Sequence, residues 1–289
     1  MRGAKVPGMF SWKKLASGKW EDAWVERLCF LGPERLAIVA LAGKKTIRIE
    51  AYGLTQKEAR DLVKQFGGAA KELKDSAALH QKLAVRKPIA IRNRLLVVSS
   101  NSQKLACEKA SPKRIVIAIP AAMAFGTGEH ATTAGCLRFL TDIAAEQNGD
   151  SWEMLDLGTG SGILAIAGKA LGAKRVDAFD FDPHAVRTTR ENLELNAIKG
   201  VIVKKGDVTK WDPPRQWDLV AANLFSEVLI QSSATIAKAT RPGGRLIFSG
   251  VLREQEEETL KAFRKAGFKV ESVVRKGKWV AALARKTRP

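Results

Sequence analysis

Residues Asp156-Leu157-Gly158-Thr159-Gly160-Ser161-Gly162 place three alternating glycines directly after an apolar stretch, 152–157, and before a helical run, 163–171. Glycine accepts backbone dihedrals that other residues resist and leaves no side chain between the backbone and a bound group. The next apolar stretch, 174–179, ends in Asp180. An acid at the tip of the second strand is where the ribose hydroxyls of a nucleotide-type ligand are held. Strand, glycine turn, helix, strand and acid in that order predict a nucleoside-binding site.

The glycine spacing narrows the ligand. The dinucleotide pattern is G-x-G-x-x-G, whereas this chain has D-x-G-x-G-x-G, and it contains no G-x-x-x-x-G-K-[ST] phosphate loop. A nucleoside with a charged amino-acid tail and no phosphate suits this turn, which predicts S-adenosylmethionine. Asp207 follows a short strand, 201–205, where a carboxylate can take the adenine amino group. Asn223 ends a fourth strand, 218–222.

The elements needed to hold these residues follow from the sequence pattern. Helices are predicted at 183–196, opened by Asp182-Pro183, at 227–239 and at 254–266. Strands are predicted at 245–249, 268–274 and 279–284. Strands alternating with helices give an α/β fold with a doubly wound, Rossmann-like, mostly parallel sheet. The turn Lys276-Gly277-Lys278 makes the last pair of strands a hairpin, so the final strand runs antiparallel.

Methyl transfer from a sulfonium needs an acceptor lone pair held in line about 3–3.5 Å from the methyl carbon, and no covalent enzyme intermediate. An acceptor amine must first lose a proton, since free lysine has a pKa of about 10.4. The amide of Asn223 can accept a hydrogen bond from that amine or hold the cofactor's amino-acid end; the residues alone leave both open. His130 is a candidate general base, because histidine titrates near neutral pH. The competing role is to cap or orient the 127–133 loop, and it is preferred because water can take an amine's proton. His80 and His184 have no partners at ligand spacing. Cys29, Cys107 and Cys136 include no C-x-x-C pair, so no metal site is expected.

Four segments together resemble a known family. They are Phe125-Gly126-Thr127-Gly128-Glu129-His130-Ala131-Thr132-Thr133, the run from Asp156 to Ala167, Asp180-Phe181-Asp182-Pro183-His184-Ala185-Val186, and Ala222-Asn223-Leu224. They are similar to the bacterial ribosomal protein L-eleven methyltransferases over roughly residue 87 to the C-terminus. The resemblance implies a seven-stranded class I methyltransferase sheet and methylation of lysine side chains and terminal amines. It also implies cofactor contacts at Thr133, Gly158, Asp180 and Asn223. With the residues read above, the expected cofactor-binding set is Thr133, Asp156, Gly158, Gly160, Asp180, Asp207 and Asn223, with Asn223 and His130 as candidate catalytic residues.

The chain has 289 residues, 45% hydrophobic content and a formal charge of +19. Residues 1–115 hold 24 Lys and Arg against 10 Asp and Glu, a net +14, whereas residues 116–289 hold 25 against 20, a net +5. Strands expected at 23–30, 35–42 and 46–51 and a helix at 55–66 form a small α+β domain. The expected organisation is a basic substrate-recognition domain (1–70), a linker with short strands near 95–99 and 114–119 (71–115), and the methyltransferase domain (116–289). A ribosomal protein substrate is expected, with RNA contact through the basic domain. No export signal or membrane-spanning stretch is read, so the expectation is a cytoplasmic protein with no membrane partner. The rival readings are an RNA methyltransferase, or a non-catalytic ribosome- or RNA-binding protein with a vestigial cofactor fold. Asn223-Leu224-Phe225 in place of N-P-P-[YF] argues against a base methylase, and the intact site residues argue against decay.

Overall fold

The computed structural model describes all residues except 1–8, 19–20, 22–23, 25–27, 29–30, 32–34, 42–44, 74–86, 121–129, 148–150 and 289. The chain divides into two compact units, Met1–Val85 and Arg86–Pro289. The 71–115 segment expected as a linker is therefore shared out. Its second part folds into the larger unit, with strands β5 (Ile89–Ile91), β6 (Leu95–Val98) and β7 (Ile115–Ala118) and helix α2 (Asn101–Ala110).

The first unit carries β1 (Met9–Ser17), β2 (Leu36–Ala40), β3 (Thr46–Leu54), helix α1 (Gln56–Phe66) and β4 (Ala69–Leu73). The sheet order is β2-β3-β1-β4, with every pair antiparallel. Strict alternation along β3 buries Ile47, Ile49 and Ala51, which share a core with Trp12 of β1 and with Ala59 and Leu62 of α1. Thr55 and Glu58 form a reciprocal capping box that starts α1, and Gly67, at φ +68, ends it. The Trp12 indole donates to the Gly67 carbonyl at 2.8 Å and ties β1 to that end. The strand expected at 23–30 is corrected where the structure describes it. Trp24 is helical, Leu28 lies in a turn, and the Leu28 amide donates to the Trp24 carbonyl.

The second unit is built on β8 (Glu153–Leu157), β9 (Arg175–Asp180), β10 (Val201–Lys205), β11 (Trp217–Asn223), β12 (Thr240–Leu252), β13 (Phe268–Lys276) and β14 (Trp279–Lys286). Their order is β10-β9-β8-β11-β12-β14-β13, and a separate three-stranded sheet runs β5-β6-β7. β14 lies between β12 and β13 and is antiparallel to both, as the hairpin required. The helices are α3 (Ala131–Glu146), α4 (Ile163–Ala170), α5 (Pro183–Leu195), α6 (Ser226–Gln231), α7 (Ser233–Ala239) and α8 (Glu256–Lys265). The single helix expected at 227–239 is broken at Ser232. The turn 241–244 lies inside β12, as a jump in register from Trp217↔Thr240 to Leu219↔Arg245.

Both faces of the large sheet are covered. Along β8 and β11, Met154, Leu219 and Ala221 enter the core shared with α3 and α4. Leu155, Leu157, Val220 and Ala222 enter the core shared with α7 and α8. Near-continuous apolar strands are what a parallel sheet buried on both faces requires. The carboxyl ends of β8, β9 and β11 therefore meet at one edge on a rigid base.

Candidate functional site

The turn after β8 is held from both sides. Gly158, Gly160 and Gly162 all take positive φ (+69, +56 and +80). The amides of Gly158 and Thr159 donate to the Phe179 carbonyl at 2.9 and 3.2 Å. From α5, Thr189 donates to the Gly160 carbonyl at 3.0 Å and the Asn192 amide donates to the Ser161 carbonyl at 2.8 Å. Thr189 and Asn192 were not read from the sequence as site residues. Their signal was two polar side chains on the buried face of an amphipathic helix.

Asp156 and Asp180 divide the work differently from the sequence expectation. Asp156 is 1% exposed; its Oδ2 accepts the Thr159 hydroxyl at 2.7 Å and the Ala165 amide at 3.1 Å. It braces the turn from beneath and is not open to solvent. Its Oδ1 has no partner, and burial pushes its pKa from 3.8 up to about 7. The folded protein thus keeps this proton to higher pH than the unfolded chain. Between about pH 4 and pH 7 the folded state binds more protons, so stability falls as pH rises, and outside that window Asp156 adds no slope. Asp156→Asn, which keeps an acceptor oxygen for both donors, is expected to flatten this fall. Denaturant titrations of both proteins from pH 4.5 to 8 check it, and parallel curves would contradict it.

Asp180 is buried at the end of β9. Its Oδ2 accepts the Gly160 amide and its Oδ1 the Asp182 amide, both at 3.0 Å. Burial raises its pKa, against the pull of these hydrogen bonds. A carboxylate offers about four acceptor positions; the Gly160 and Asp182 amides take two and the Phe181 amide also approaches it, which leaves a position that a ribose hydroxyl would use. Phe181, the next residue, is exposed. Beyond β10, Oδ1 of Asp207 accepts the Thr209 amide at 3.0 Å and its hydroxyl at 2.7 Å, which hold its pKa down. Its second oxygen stands 3.9 Å from Lys210 and can accept an amino group.

Asn223, the last residue of β11, donates from Nδ2 to the buried Thr133 hydroxyl of α3 at 3.3 Å. Among the described residues its amide oxygen has no hydrogen-bond partner. His130 is the residue before α3, and its carbonyl accepts the Ala134 amide. Its Nδ1 lies 2.7 Å from the Thr132 hydroxyl, and its ring stands edge-on to Trp279 at 4.9 Å. Burial, and then the Lys278 charge, push its pKa down. Residues 125–129, Cys29 and His80 lie outside the described residues, among which Cys107 and Cys136 are free thiols. No group of three metal-ligating side chains occurs among the described residues. Nor is any helix among them long and apolar enough to cross a membrane.

A cleft of about 440 Å³ lies at the amino ends of β8 and β11, lined by Trp152, Asp218, Arg241, Arg245, Arg285 and Arg288 among others. It contains none of the residues above. Arg241 is bound to Asp218, and Arg245 to Glu146, so these charges are already matched. The glycine turn, Asp180 and Asn223 all stand at the opposite ends of the strands, where open α/β sheets bind ligands.

The strand order, the antiparallel β14 and the joined glycine turn and acid define a Rossmann-like methyltransferase fold. The model of the family "Ribosomal protein L11 methyltransferase (PrmA)" matches residues 31–287. The chain belongs to this family. It is 36% identical over 200 residues to the ribosomal protein L11 methyltransferase of Listeria innocua, covering 69% of this chain and 61% of that protein. It is 40% identical over 172 residues to the Geobacter metallireducens protein of the same name, covering 60% and 55%. It therefore spans less than two thirds of the length of these curated relatives. A crystal structure of the ribosomal protein L11 methylase of Lactobacillus delbrueckii subsp. bulgaricus matches with a TM-score of 0.61 and 26% identity, covering 70% of this chain and all of that one.

Proposed function

We propose that this protein transfers methyl groups from S-adenosylmethionine to lysine side chains, terminal amines or both of ribosomal protein L11 or a similar ribosomal protein. The observation that carries this reading is Asn223, held by Thr133 with its amide oxygen able to accept an amine hydrogen, at the same edge of the sheet as the Gly160–Asp180 pair. When bound, S-adenosylmethionine supplies an electrophilic methyl group on a positively charged sulfur. Asp180 would hold its ribose, Asp207 its adenine amino group, and the glycine turn its amino-acid tail. Asn223 orients the amine so that its lone pair faces the methyl carbon. Transfer would form a carbon–nitrogen bond as the carbon–sulfur bond breaks, and the amine's surplus proton would leave to water. An amide suits the task because it accepts a hydrogen bond without adding a full negative charge that would favour the protonated amine.

The first unit selects the substrate in this reading. One face of its sheet packs on α1. The other carries the cross-strand row Leu15↔Arg48↔Val39 with Leu15 60% and Val39 40% exposed, next to exposed Lys13. Apolar side chains among cations suit a partner with an acidic or RNA-associated surface.

The test incubates the full chain with radiolabelled S-adenosylmethionine and purified ribosomal protein L11. Label is expected in protease-sensitive, nuclease-resistant material. Asn223→Ala is expected to lower kcat about tenfold, the worth of one hydrogen bond of roughly 1–1.5 kcal/mol, with cofactor affinity held within about twofold. Label in nuclease-sensitive material would replace the protein acceptor with RNA.

A further inference from the structure

Leu224 is wedged between two glycines. A Cβ at Gly158 would lie 2.2 Å from Leu224 Cδ2, and one at Gly250 would lie 2.1 Å from the Leu224 carbonyl oxygen. The Leu224 amide also donates to the Ser249 carbonyl at 3.1 Å. The backbone that leaves β11 is thus clamped between the glycine turn and β12, and the next residue, Phe225, starts from a fixed position two residues past Asn223. Phe225 is 68% exposed. It also occupies the N-cap of α6, with φ −60 and ψ 148 and no side-chain cap bond, although its carbonyl accepts the Leu229 amide.

Ser, Thr, Asp and Asn are favoured at an N-cap because their oxygens satisfy the first free amides, whereas phenylalanine satisfies none. Core packing does not explain the residue either, since most of the ring is in water. A position that breaks both the capping and the burial preference, on a rigid segment beside the acceptor-orienting amide, is expected to serve a ligand.

We infer that Phe225 is a substrate-positioning residue whose ring packs against the aliphatic stem of the acceptor lysine. This rests on the reading of the protein as an amine methyltransferase. The reacting amine must be neutral, so the ring's contribution is apolar contact along the four-carbon stem, with no ion attracted to its face. Such contact forms in the ground state and persists in the transition state, so it acts on KM more than on kcat.

Phe225→Ser in the full-length protein separates this role from a structural one, because serine is a better N-cap. Its melting temperature is expected to be unchanged or raised, and its affinity for S-adenosylhomocysteine unchanged. The KM for ribosomal protein L11 is expected to rise roughly tenfold with kcat within about twofold, in line with the loss of an apolar contact in a specificity pocket. Phe225→Tyr should restore most of the KM. An active wild type matched in KM by Phe225→Ser overturns this inference alone. A wild type that leaves the protein acceptor unmethylated overturns the activity reading, and the inference with it.

Discussion

Asp180→Ala is expected to weaken binding of S-adenosylmethionine and S-adenosylhomocysteine at least tenfold, and by more than a change at any other cofactor residue. The carboxylate has two tasks. Two of its acceptor positions hold the Gly160 and Asp182 amides, which fix the glycine turn against the end of β9. In the proposed reading the remaining acceptor capacity would hold the cofactor's ribose. A hydrogen bond to a charged group contributes about 1.5–3 kcal/mol, and each 1.4 kcal/mol is a factor of ten in affinity. Asp180→Ala would remove the proposed ribose partner and leaves the Gly160 and Asp182 amides without their acceptor. Asp180→Asn keeps one acceptor oxygen and should fall between the two. Asp207 provides the comparison: it lies near the surface, and one of its oxygens is occupied by Thr209. Asp207→Ala should therefore cost only a few-fold. Calorimetry with S-adenosylhomocysteine decides the matter, with melting curves to show that each variant is folded. An Asp180→Ala affinity equal to the wild type would sink the cofactor assignment.

Most of the large unit could be read from its sequence because its signals are local. Asp182-Pro183 starts α5 with the Asp182 side chain accepting the His184 amide, and the runs at 201–205 and 218–222 became β10 and β11 with little change in their bounds. The placement of the candidate site residues was legible for the same reason: a glycine turn, an acid and a terminal Asn are all set by strand ends. What could not be read depends on contacts between distant segments. Gly158 reads as space for a ligand, yet its missing Cβ makes room for Leu224, more than sixty residues along the chain. Asp156 reads as a cofactor contact because it precedes the glycines, but its side chain turns inward to Thr159 and Ala165. In the small unit, β4 reads Ala-Ala-Lys-Glu-Leu, a composition with little strand preference, and pairing with β1 overrides it. α2 buries no residue fully, so it has no apolar stripe to reveal it.

A chain beginning at Arg86 is expected to keep the cofactor affinity of the full protein and to lose on the order of a hundredfold in kcat/KM toward ribosomal protein L11, at the lower end of what a tethered second binding module adds. The retained affinity follows from the site's composition. Every residue assigned to the cofactor lies in the Arg86–Pro289 unit, whose two apolar layers are formed within it. The loss follows from our proposal that the first unit holds the substrate. Its core is built around Trp12, Ile47, Ile49 and Leu62, and Leu15 and Val39 on the other face of the sheet are exposed. If cations there carry the encounter, replacing Lys13, Lys45 and Lys71 with Glu in the full chain should raise KM. The wild-type KM should itself rise with added salt, because exposed charges are screened within about 10 Å at 0.1 M. Steady-state methylation of ribosomal protein L11, free and within ribosomal particles, is the measurement. Equal kcat/KM for the shortened and full chains would remove any substrate-selecting role from the first unit. A loss confined to ribosomal particles would instead assign its cations to RNA.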